Sequence, residues 1–242
     1  MNTFSIKMLA VALMVVDHVG LYFPGTSILL RCVGRLSYPL FLFCMVWGYH
    51  YTRNRKVYLL RLYLLSLAMT ALSWTVDTYW PTQGGYGNHN IFLSMFLVGV
   101  CISTVELFQA DRKKGWMALG GIFVVQVVYF VVPLGRYMNG DLHTGIVPNL
   151  ALNEYGFEFV ALGVAMYFLK EKMDLFVPVY VLFCIYQFSG EWLWGDGGFP
   201  IQWLMIFALP VMLKFNGEKG PGWKYFFYVF YPAHTLVLFY LG

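Results

Sequence analysis

Apolar runs of about 20 residues, separated by short polar segments, make up most of this chain. Most runs are apolar on all sides, which is typical of helices in lipid and not of helices on a soluble protein. The pattern predicts an all-α, polytopic integral membrane helical bundle of about nine transmembrane helices, and eight or ten fit only slightly less well. The predicted spans are 5–23, 28–50, 57–77, 90–109, 115–134, 154–170, 174–190, 198–214 and 224–241.

Composition agrees with this class. Hydrophobic residues make up 60% of the chain and charged residues 12%, against about 25% charged residues in a typical soluble domain. No linker, repeat or low-complexity tract is visible, so we expect a single domain over residues 1–242. No signal-peptide cleavage site follows the first run, so we expect it to be retained as a helix. The cysteines lie within apolar runs without Cys-x-x-Cys spacing and are expected to be buried thiols.

Lysine and arginine residues collect in alternate loops, and this asymmetry predicts the orientation of the chain. Basic residues occupy the segments 53–56, 112–114, 170–172 and 214–224, whereas the opposite loops carry almost only Arg136. We expect a protein of the cell (inner) membrane. The positive-inside rule then places its N-terminus in the cytosol and, with nine spans, its C-terminus outside. Because topology accounts for the net charge of +4, that charge does not indicate a nucleic-acid partner.

The first span carries ionisable residues, which are costly in lipid and therefore point to a function. Lys7 and His18 are eleven positions apart, with Asp17 beside the histidine. Eleven helical residues turn about 1100°, roughly 20° past three turns, and rise about 16 Å. Lys7 and His18 should therefore share one helix face, with Lys7 near the cytosolic headgroups and His18 in the outer half of the bilayer. This arrangement suits a site that takes a charged molecule from one side and reacts it within the membrane.

The second span brings two arginines towards the same depth. Arg31 and Arg35 are four positions apart and share a helix face. The short turn at Pro24-Gly25 makes the first two spans neighbours, so we expect an ion pair between Asp17 and Arg35. The pair could serve only to fix two helices, but that alone would require neither His18 nor a second arginine.

Weaker candidates lie elsewhere along the chain. Asn90 should sit at the outer rim near the depth of His18, and Glu158 well inside the sixth span. His234 follows Pro232, which should kink the last helix, and a packing role for this histidine is the competing interpretation. Gln126, Gln187 and Gln202 are expected to form hydrogen bonds between helices.

Two cytosolic segments are candidates for binding phosphate groups. They are TRNRK at 52–56, with Arg53 and Arg55, and the glycine-rich FNGEKGPGWK at 215–224, with Lys219. Glycines allow close approach of the backbone and basic side chains supply charge. The positive-inside rule explains the charge equally well, and an ordinary tight turn explains the glycines.

Four blocks of the sequence resemble the TraX family. They are KMLAVALMVVDHVG from Lys7, RCVGRLSYPLFLFCMVWGYHYTRNRKVYLLRL from Arg31, NIFLS from Asn90, and FNGEKG followed by KYFFYVFYPAH near the end. Members of that family are associated with N-terminal acetylation of a conjugative pilin subunit. The Lys7-x10-His18 spacing is also similar to a basic-x10-His pattern in the type-3 membrane acyltransferases, which are grouped with TraX as transmembrane acyl transferases.

The resemblance implies that acetyl-CoA binds from the cytosolic side, that a membrane-embedded histidine serves the reaction, and that the acceptor is modified at or beyond the outer leaflet. This chain has fewer spans than the larger relatives and lacks their extra soluble domains, which argues against a polysaccharide acceptor. The acceptor stays open: an amine or hydroxyl of a peptide, a pilin or a sugar.

The leading hypothesis is therefore acetyl transfer from acetyl-CoA, with no metal. His18 and Asp17 are the predicted catalytic residues. The predicted substrate- and cofactor-binding residues are Lys7, Arg31, Arg35, Arg53, Arg55, Asn90, Glu158, Lys219 and His234. His18 would act as a general base or form an acetyl-histidine, and Arg31 or Arg35 would stabilise the thioester oxyanion. The alternatives are a proton-coupled small-molecule transporter and a non-catalytic assembly subunit.

Overall fold

A computed structural model describes residues 1–80, 85–87, 89–132, 140–195 and 198–242. Throughout these ranges the regular structure is helical, without a strand. In chain order the helices are α1 (Thr3–Tyr22), α2 (Ile28–Gly34), α3 (Ser37–Tyr51), α4 (Arg55–Tyr79), α5 (Ile91–Ala110), α6 (Arg112–Val131), α7 (Gly140–Ile146), α8 (Gly156–Leu169), α9 (Met173–Trp194), a 3₁₀ helix (Gln202–Ala208), α10 (Leu209–Leu213) and α11 (Lys224–Leu241).

The prediction of a helical membrane bundle is confirmed. Within the described part of the chain, 6 helical segments are long and apolar enough to cross a membrane, counting α2 and α3 as one. Side chains of asparagine or aspartate accept backbone N–H groups in the first turn of several of these helices: Asn2 in α1, Asn54 in α4, Asn90 in α5 and Asp111 in α6. These caps satisfy donors that have no partner inside the helix, and so fix where each helix begins.

Two predicted spans are not continuous helices, and a third is shorter than predicted. The span 28–50 is interrupted at Arg35 and Leu36, between α2 and α3. The span 198–214 consists of the 3₁₀ helix followed by α10. Because a 3₁₀ helix rises about 2.0 Å per residue and an α-helix about 1.5 Å, these two elements together cover roughly 20 Å. The span 154–170 is shorter than predicted, since α8 has 14 residues, and α7 was not predicted at all.

The chain forms two compact units, one from Met1–Tyr51 with Ala165–Gly242 and the other from Thr52–Val164. In the first unit α1 and the α2–α3 segment run antiparallel: Arg31 bonds to Asp17, while the Cys44 Sγ lies 3.7 Å from the carbonyl oxygen of Thr3. In the second unit α4, α5 and α6 follow one another as antiparallel neighbours, with α7 packed on α4. A single domain over 1–242 stays a prediction.

Helices α1 and α11, the first and last, run parallel. The ring of Phe4 packs against that of Trp223 at one end, and the ring of Tyr22 packs against that of Phe239 at the other. In a chain whose first and last spans are parallel, the number of crossings must be odd. This direction agrees with nine spans and disagrees with eight or ten.

Candidate functional site

The centre of the candidate site is a pair of buried histidines between α1 and α11. His18 and His234 are each 8% exposed. The Nδ1 atom of His18 lies 2.8 Å from the Nε2 atom of His234, with the two ring planes 12° apart. On its other side, His234 Nδ1 lies 2.8 Å from the carbonyl oxygen of Phe230, one turn earlier in α11. The chain thus joins two imidazoles and a backbone carbonyl in one line of hydrogen bonds.

Asp17 lies at the centre of an ion cluster between α1 and α2. Its carboxylate accepts a hydrogen bond of 2.8 Å from Arg31 and one of 3.3 Å from Arg35, so the predicted pair of Asp17 with Arg35 is confirmed and Arg31 joins it. Arg35 also donates to the Oε1 atom of Gln202, 3.1 Å away. The side chains of Asp17, Arg31 and Arg35 are 17% to 22% exposed, so the cluster is partly shielded from solvent or lipid.

Gly34 permits this close packing. A Cβ atom at position 34 would lie 2.2 Å from the Cβ and Oδ1 atoms of Asp17. Only a residue without a side chain leaves the space that the carboxylate occupies beside α2. The sequence gives little signal for this role beyond a small residue between two arginines.

Asp17 and His18 point to different neighbours although they are adjacent in sequence. Successive residues of an α-helix are turned by about 100°. Asp17 contacts Arg31 and Arg35, whereas His18 contacts His234 and, at 6.1 Å between ring centroids, Tyr22. These contacts favour a positioning role for Asp17 over the direct role in catalysis that the sequence suggested.

Lys7 marks the other end of the α1–α11 contact. Its Nζ atom lies 5.5 Å from the centroid of the Phe227 ring. Since Lys7 and His18 both contact α11, the prediction that they share a helix face is confirmed. Within the described ranges, Lys7 makes no hydrogen bond or ion pair.

The glycine-rich segment closes over this end. The backbone N–H and side-chain hydroxyl of Thr3 both donate to the carbonyl oxygen of Glu218, at 2.9 and 3.1 Å. Tyr51 at the end of α3 donates its hydroxyl to the carbonyl oxygen of Gly217. Lys219 lies near enough to Lys7 for electrostatic interaction. The N-termini of α1 and α11, each with a partial positive charge, therefore lie beside two lysines.

The comparison with known families identifies the family of this chain. The family model described as TraX protein matches residues 3–242. The chain belongs to the TraX family. The match covers both ends of the α1–α11 contact, so Lys7, His18 and His234 all lie inside the family region.

A curated relative of this TraX chain has a name that concerns surface appendages. It is the probable fimbrial assembly protein FimC, serogroup H1, of Dichelobacter nodosus, 25% identical over 258 residues that cover 98% of this chain and 94% of the relative. No solved structure matches the chain.

The remaining predicted residues of the TraX chain lie in the second unit. Arg53 is exposed in the bend before α4, and Arg55 forms an ion pair with Glu106 of α5. Asn90 caps α5, and its Nδ2 atom donates to Ser66 and Thr70 of α4. These contacts give Arg55 and Asn90 structural tasks.

The sequence suggested that Glu158 lies well inside the sixth span, but the structure places it at the start of the helix. It occupies the first turn of α8, and its carboxylate folds back within about 3 Å of where a Cβ of Gly156 would be. An acidic side chain at a helix N-terminus complements the positive end of the helix dipole. The polar position is therefore explained by the start of the helix.

The glutamines expected to join helices divide into two groups. Gln126 of α6 donates to the carbonyl oxygen of Pro148 and accepts from the N–H of Leu150, and Gln202 accepts from Arg35. The Nε2 atom of buried Gln187 has no hydrogen-bond partner among the residues described. Gln202 thus belongs to the candidate site, which sequence reasoning did not anticipate.

Proposed function

We propose that this chain is a membrane-embedded acetyltransferase that uses cytosolic acetyl-CoA to acetylate an amine at the membrane or its outer side. The observation that carries the proposal is the α1–α11 contact. One helix presents a lysine without a carboxylate partner at the basic end of the first unit and a buried histidine about 16 Å further along, both facing α11. Acetyl-CoA is a thioester with a charged, phosphorylated end and a long neutral arm. Its phosphates match the lysine, and its thioester would reach the histidine.

The end with Lys7 and Lys219 would hold the phosphates of coenzyme A. An ammonium group without a carboxylate partner gains charge-assisted hydrogen bonds when it meets phosphate. The N-termini of α1 and α11 add partial positive charge at the same end. Lys7 and Lys219, both in the first unit, are the residues assigned this role here.

His18 would act as the general base. A lone pair on its ring takes a proton from the acceptor amine while the amine nitrogen attacks the thioester carbonyl. The new C–N bond forms, the C–S bond breaks, and the proton passes from the imidazolium to the departing thiolate. The products are an acetylated amine and coenzyme A with a free thiol, so no oxidant or reductant is required. Arg31 and Arg35 are the proposed donors to the oxyanion.

The acceptor is proposed to be the N-terminal amine of a pilin-type protein subunit. Two observations support this choice: membership in the TraX family, and similarity to a probable fimbrial assembly protein. The lysines of the first unit collect at the Lys7 end, among them Lys219 and the Lys170 and Lys172 that flank the turn before α9. This distribution supports an inner-membrane location with the Lys7 end in the cytosol.

The direct test uses the purified protein, acetyl-CoA labelled in its acetyl group, and a peptide with a free N-terminal amine. We expect labelled peptide and an equal amount of free coenzyme A thiol. A peptide with a blocked N-terminus and no lysine is the control for the amine. Absence of product with a range of peptide and amino-sugar amines would contradict the proposal. If the label appears on His18 and then passes to the peptide, the reaction proceeds through an acetyl-histidine intermediate instead of general-base catalysis.

The hydrogen-bonded histidine pair also favours a second candidate, a proton-coupled transporter. Buried ionisable groups linked by hydrogen bonds are the components of proton relays in membrane carriers. A liposome assay separates the two functions. Solute-dependent proton uptake without acetyl-CoA, together with no acetylated product, would establish the transporter instead.

A further inference from the structure

We infer that His234 is a positioning residue for the reaction: it fixes the proton of His18 on Nδ1 and thereby places the reactive lone pair of His18 on Nε2. This inference rests on the proposed acetyl transfer. The sequence offered His234 only as a binding or packing residue, and neither the family match nor the relative assigns it a role.

The carbonyl oxygen of Phe230 determines which nitrogen of His234 carries the proton. A carbonyl oxygen only accepts hydrogen bonds, so the Nδ1 atom of His234, 2.8 Å away, must carry a proton. A neutral imidazole has one protonated nitrogen. The Nε2 atom of neutral His234 is therefore an acceptor, and its lone pair faces His18.

The tautomer of His18 follows from that of His234. Its Nδ1 atom lies 2.8 Å from that acceptor, so the shared proton belongs to His18 Nδ1. The lone pair of neutral His18 is then on Nε2, on the far side of the ring from His234. When Nε2 takes a proton from the acceptor amine, Nδ1–H becomes part of an imidazolium, and its hydrogen bond to His234 strengthens. The histidine pair thus performs the orienting task that a carboxylate performs in a serine–histidine–aspartate triad.

Packing keeps His234 in this orientation. Its ring stacks on that of Phe230 at a centroid distance of 4.8 Å and an interplanar angle of 8°. Tyr231 packs against its edge with centroids 5.7 Å apart. Thr235, the next residue, donates its hydroxyl to the backbone carbonyls of Tyr231 and Pro232. These contacts keep the His234 ring beside the carbonyl oxygen of Phe230, one turn earlier in α11.

The test compares two substitutions of His234 with a matched control. His234→Phe keeps an aromatic ring but has no acceptor, and His234→Gln retains a side-chain oxygen that can accept from His18 Nδ1. We expect His234→Phe to lower kcat for acetyl transfer on the order of 10²–10³-fold, with the KM for acetyl-CoA nearly unchanged. His234→Gln should restore kcat to within about tenfold of the unsubstituted protein. His143→Phe, at a histidine that is 6% exposed in the second unit, is the control and should keep full activity.

A spectroscopic measurement tests the same inference without any activity. In protein labelled with ¹⁵N-histidine at alkaline pH, where the rings are neutral, His18 should carry its proton on Nδ1, and this preference should be lost in His234→Phe. A proton on Nε2 of His18 in the unsubstituted protein would overturn the inference, as would full kcat in folded His234→Phe. Failure of acetyl transfer in the unsubstituted protein would overturn the proposed function instead, and the proton position of His18 would still decide the role of His234.

Discussion

Each ionisable residue of the first helix meets a different environment, although all three lie on one span. Asp17 is paired with Arg31 of α2 and with Arg35 in the turn after it, His18 is bonded to His234 of α11, and Lys7 lies over the aromatic ring of Phe227. A charge in lipid without a partner is costly, so the first two residues are stabilised within the protein itself. Lys7, in contrast, has no carboxylate partner among the described residues, as the proposed binding of a phosphate group requires.

Replacing Lys7 tests that interpretation. Lys7→Met should raise the KM for acetyl-CoA about 10- to 100-fold and leave kcat nearly unchanged, because one charge-assisted hydrogen bond to phosphate contributes about 1.5–3 kcal/mol of ground-state binding. Steady-state kinetics in detergent measure both constants. The matched control is Lys114→Met, since Lys114 pairs with Asp111 at the turn between α5 and α6. An unchanged KM in Lys7→Met would remove Lys7 from the donor site.

Replacing Asp17 separates positioning from chemistry. Asp17→Asn leaves two arginines without their shared carboxylate, so it should lower the free energy of unfolding by about 1–3 kcal/mol. It should reduce kcat much less than loss of His18 does. Thermal unfolding in detergent and the acetyl-transfer assay provide the two readouts. A fully stable Asp17→Asn protein that is as inactive as a His18 variant would show that Asp17 takes part in catalysis.

Helix packing around the site depends on how closely α1 approaches α2. The contact is made at Gly34, next to Asp17, and at Gly20, where a Cβ would lie 2.9 Å from the Cβ of Leu30. In membranes small residues allow helices to approach closely enough for side chains to form hydrogen bonds between them. The ion cluster and the glycines therefore stabilise the same helix pair.

A pair of glycine substitutions tests this packing. Gly34→Ala should destabilise the protein by about 1–3 kcal/mol, because the new methyl group overlaps Asp17. Gly120→Ala in α6 is the control: a Cβ there meets nothing within 4 Å, and alanine should stabilise the helix by about 0.5–1 kcal/mol. Thermal unfolding of both variants gives the comparison. Equal stability of the two would show that α1 and α2 are not packed at Gly34.

The elements that sequence predicts well are those that hydropathy alone determines. Helices α1, α4, α5, α6 and α9 begin and end within a few residues of the predicted spans. The interruption between α2 and α3 was missed because hydropathy does not register Pro39, which has no backbone N–H and favours a helix start just before it. The 3₁₀ helix was missed for a similar reason: hydropathy reports whether a segment can enter lipid, not how its backbone bonds.

The candidate site shows the same limit at longer range. The pair of Asp17 with Arg35 could be predicted, because a short turn forces their helices together. The contact of His18 with His234 could not be predicted, because 216 positions separate the two residues. Only the packing of α1 against α11 brings them into contact.

At the scale of the whole molecule, the parallel direction of α1 and α11 carries consequences for topology. With the Lys7 end in the cytosol, the turn between α1 and α2 should face outside and the turn between α5 and α6 should face the cytosol. Thr26 and Lys113 are exposed residues in or next to these two turns. In the proposed reaction, acetyl-CoA would enter at the cytosolic face and the acetylated amine would leave at the outer face.

Cysteine labelling tests the orientation. In a protein whose 4 native cysteines are replaced by alanine, Thr26→Cys should react with a membrane-impermeant maleimide added to intact spheroplasts. Lys113→Cys should react only after the membrane is permeabilised. The opposite pattern would invert the proposed orientation, and labelling of both residues from one side would contradict the three crossings proposed between them, by the α2–α3 segment, α4 and α5.

The proposed acetyl transfer requires His18 to accept a proton, and one substitution tests this requirement. In purified protein, His18→Ala should lower kcat for acetyl transfer from acetyl-CoA to an amine on the order of 10²–10⁴-fold. Its thermal unfolding should stay close to that of the unsubstituted protein, which shows that the helices remain assembled. A folded His18→Ala protein that acetylates the amine at the normal rate would contradict the account.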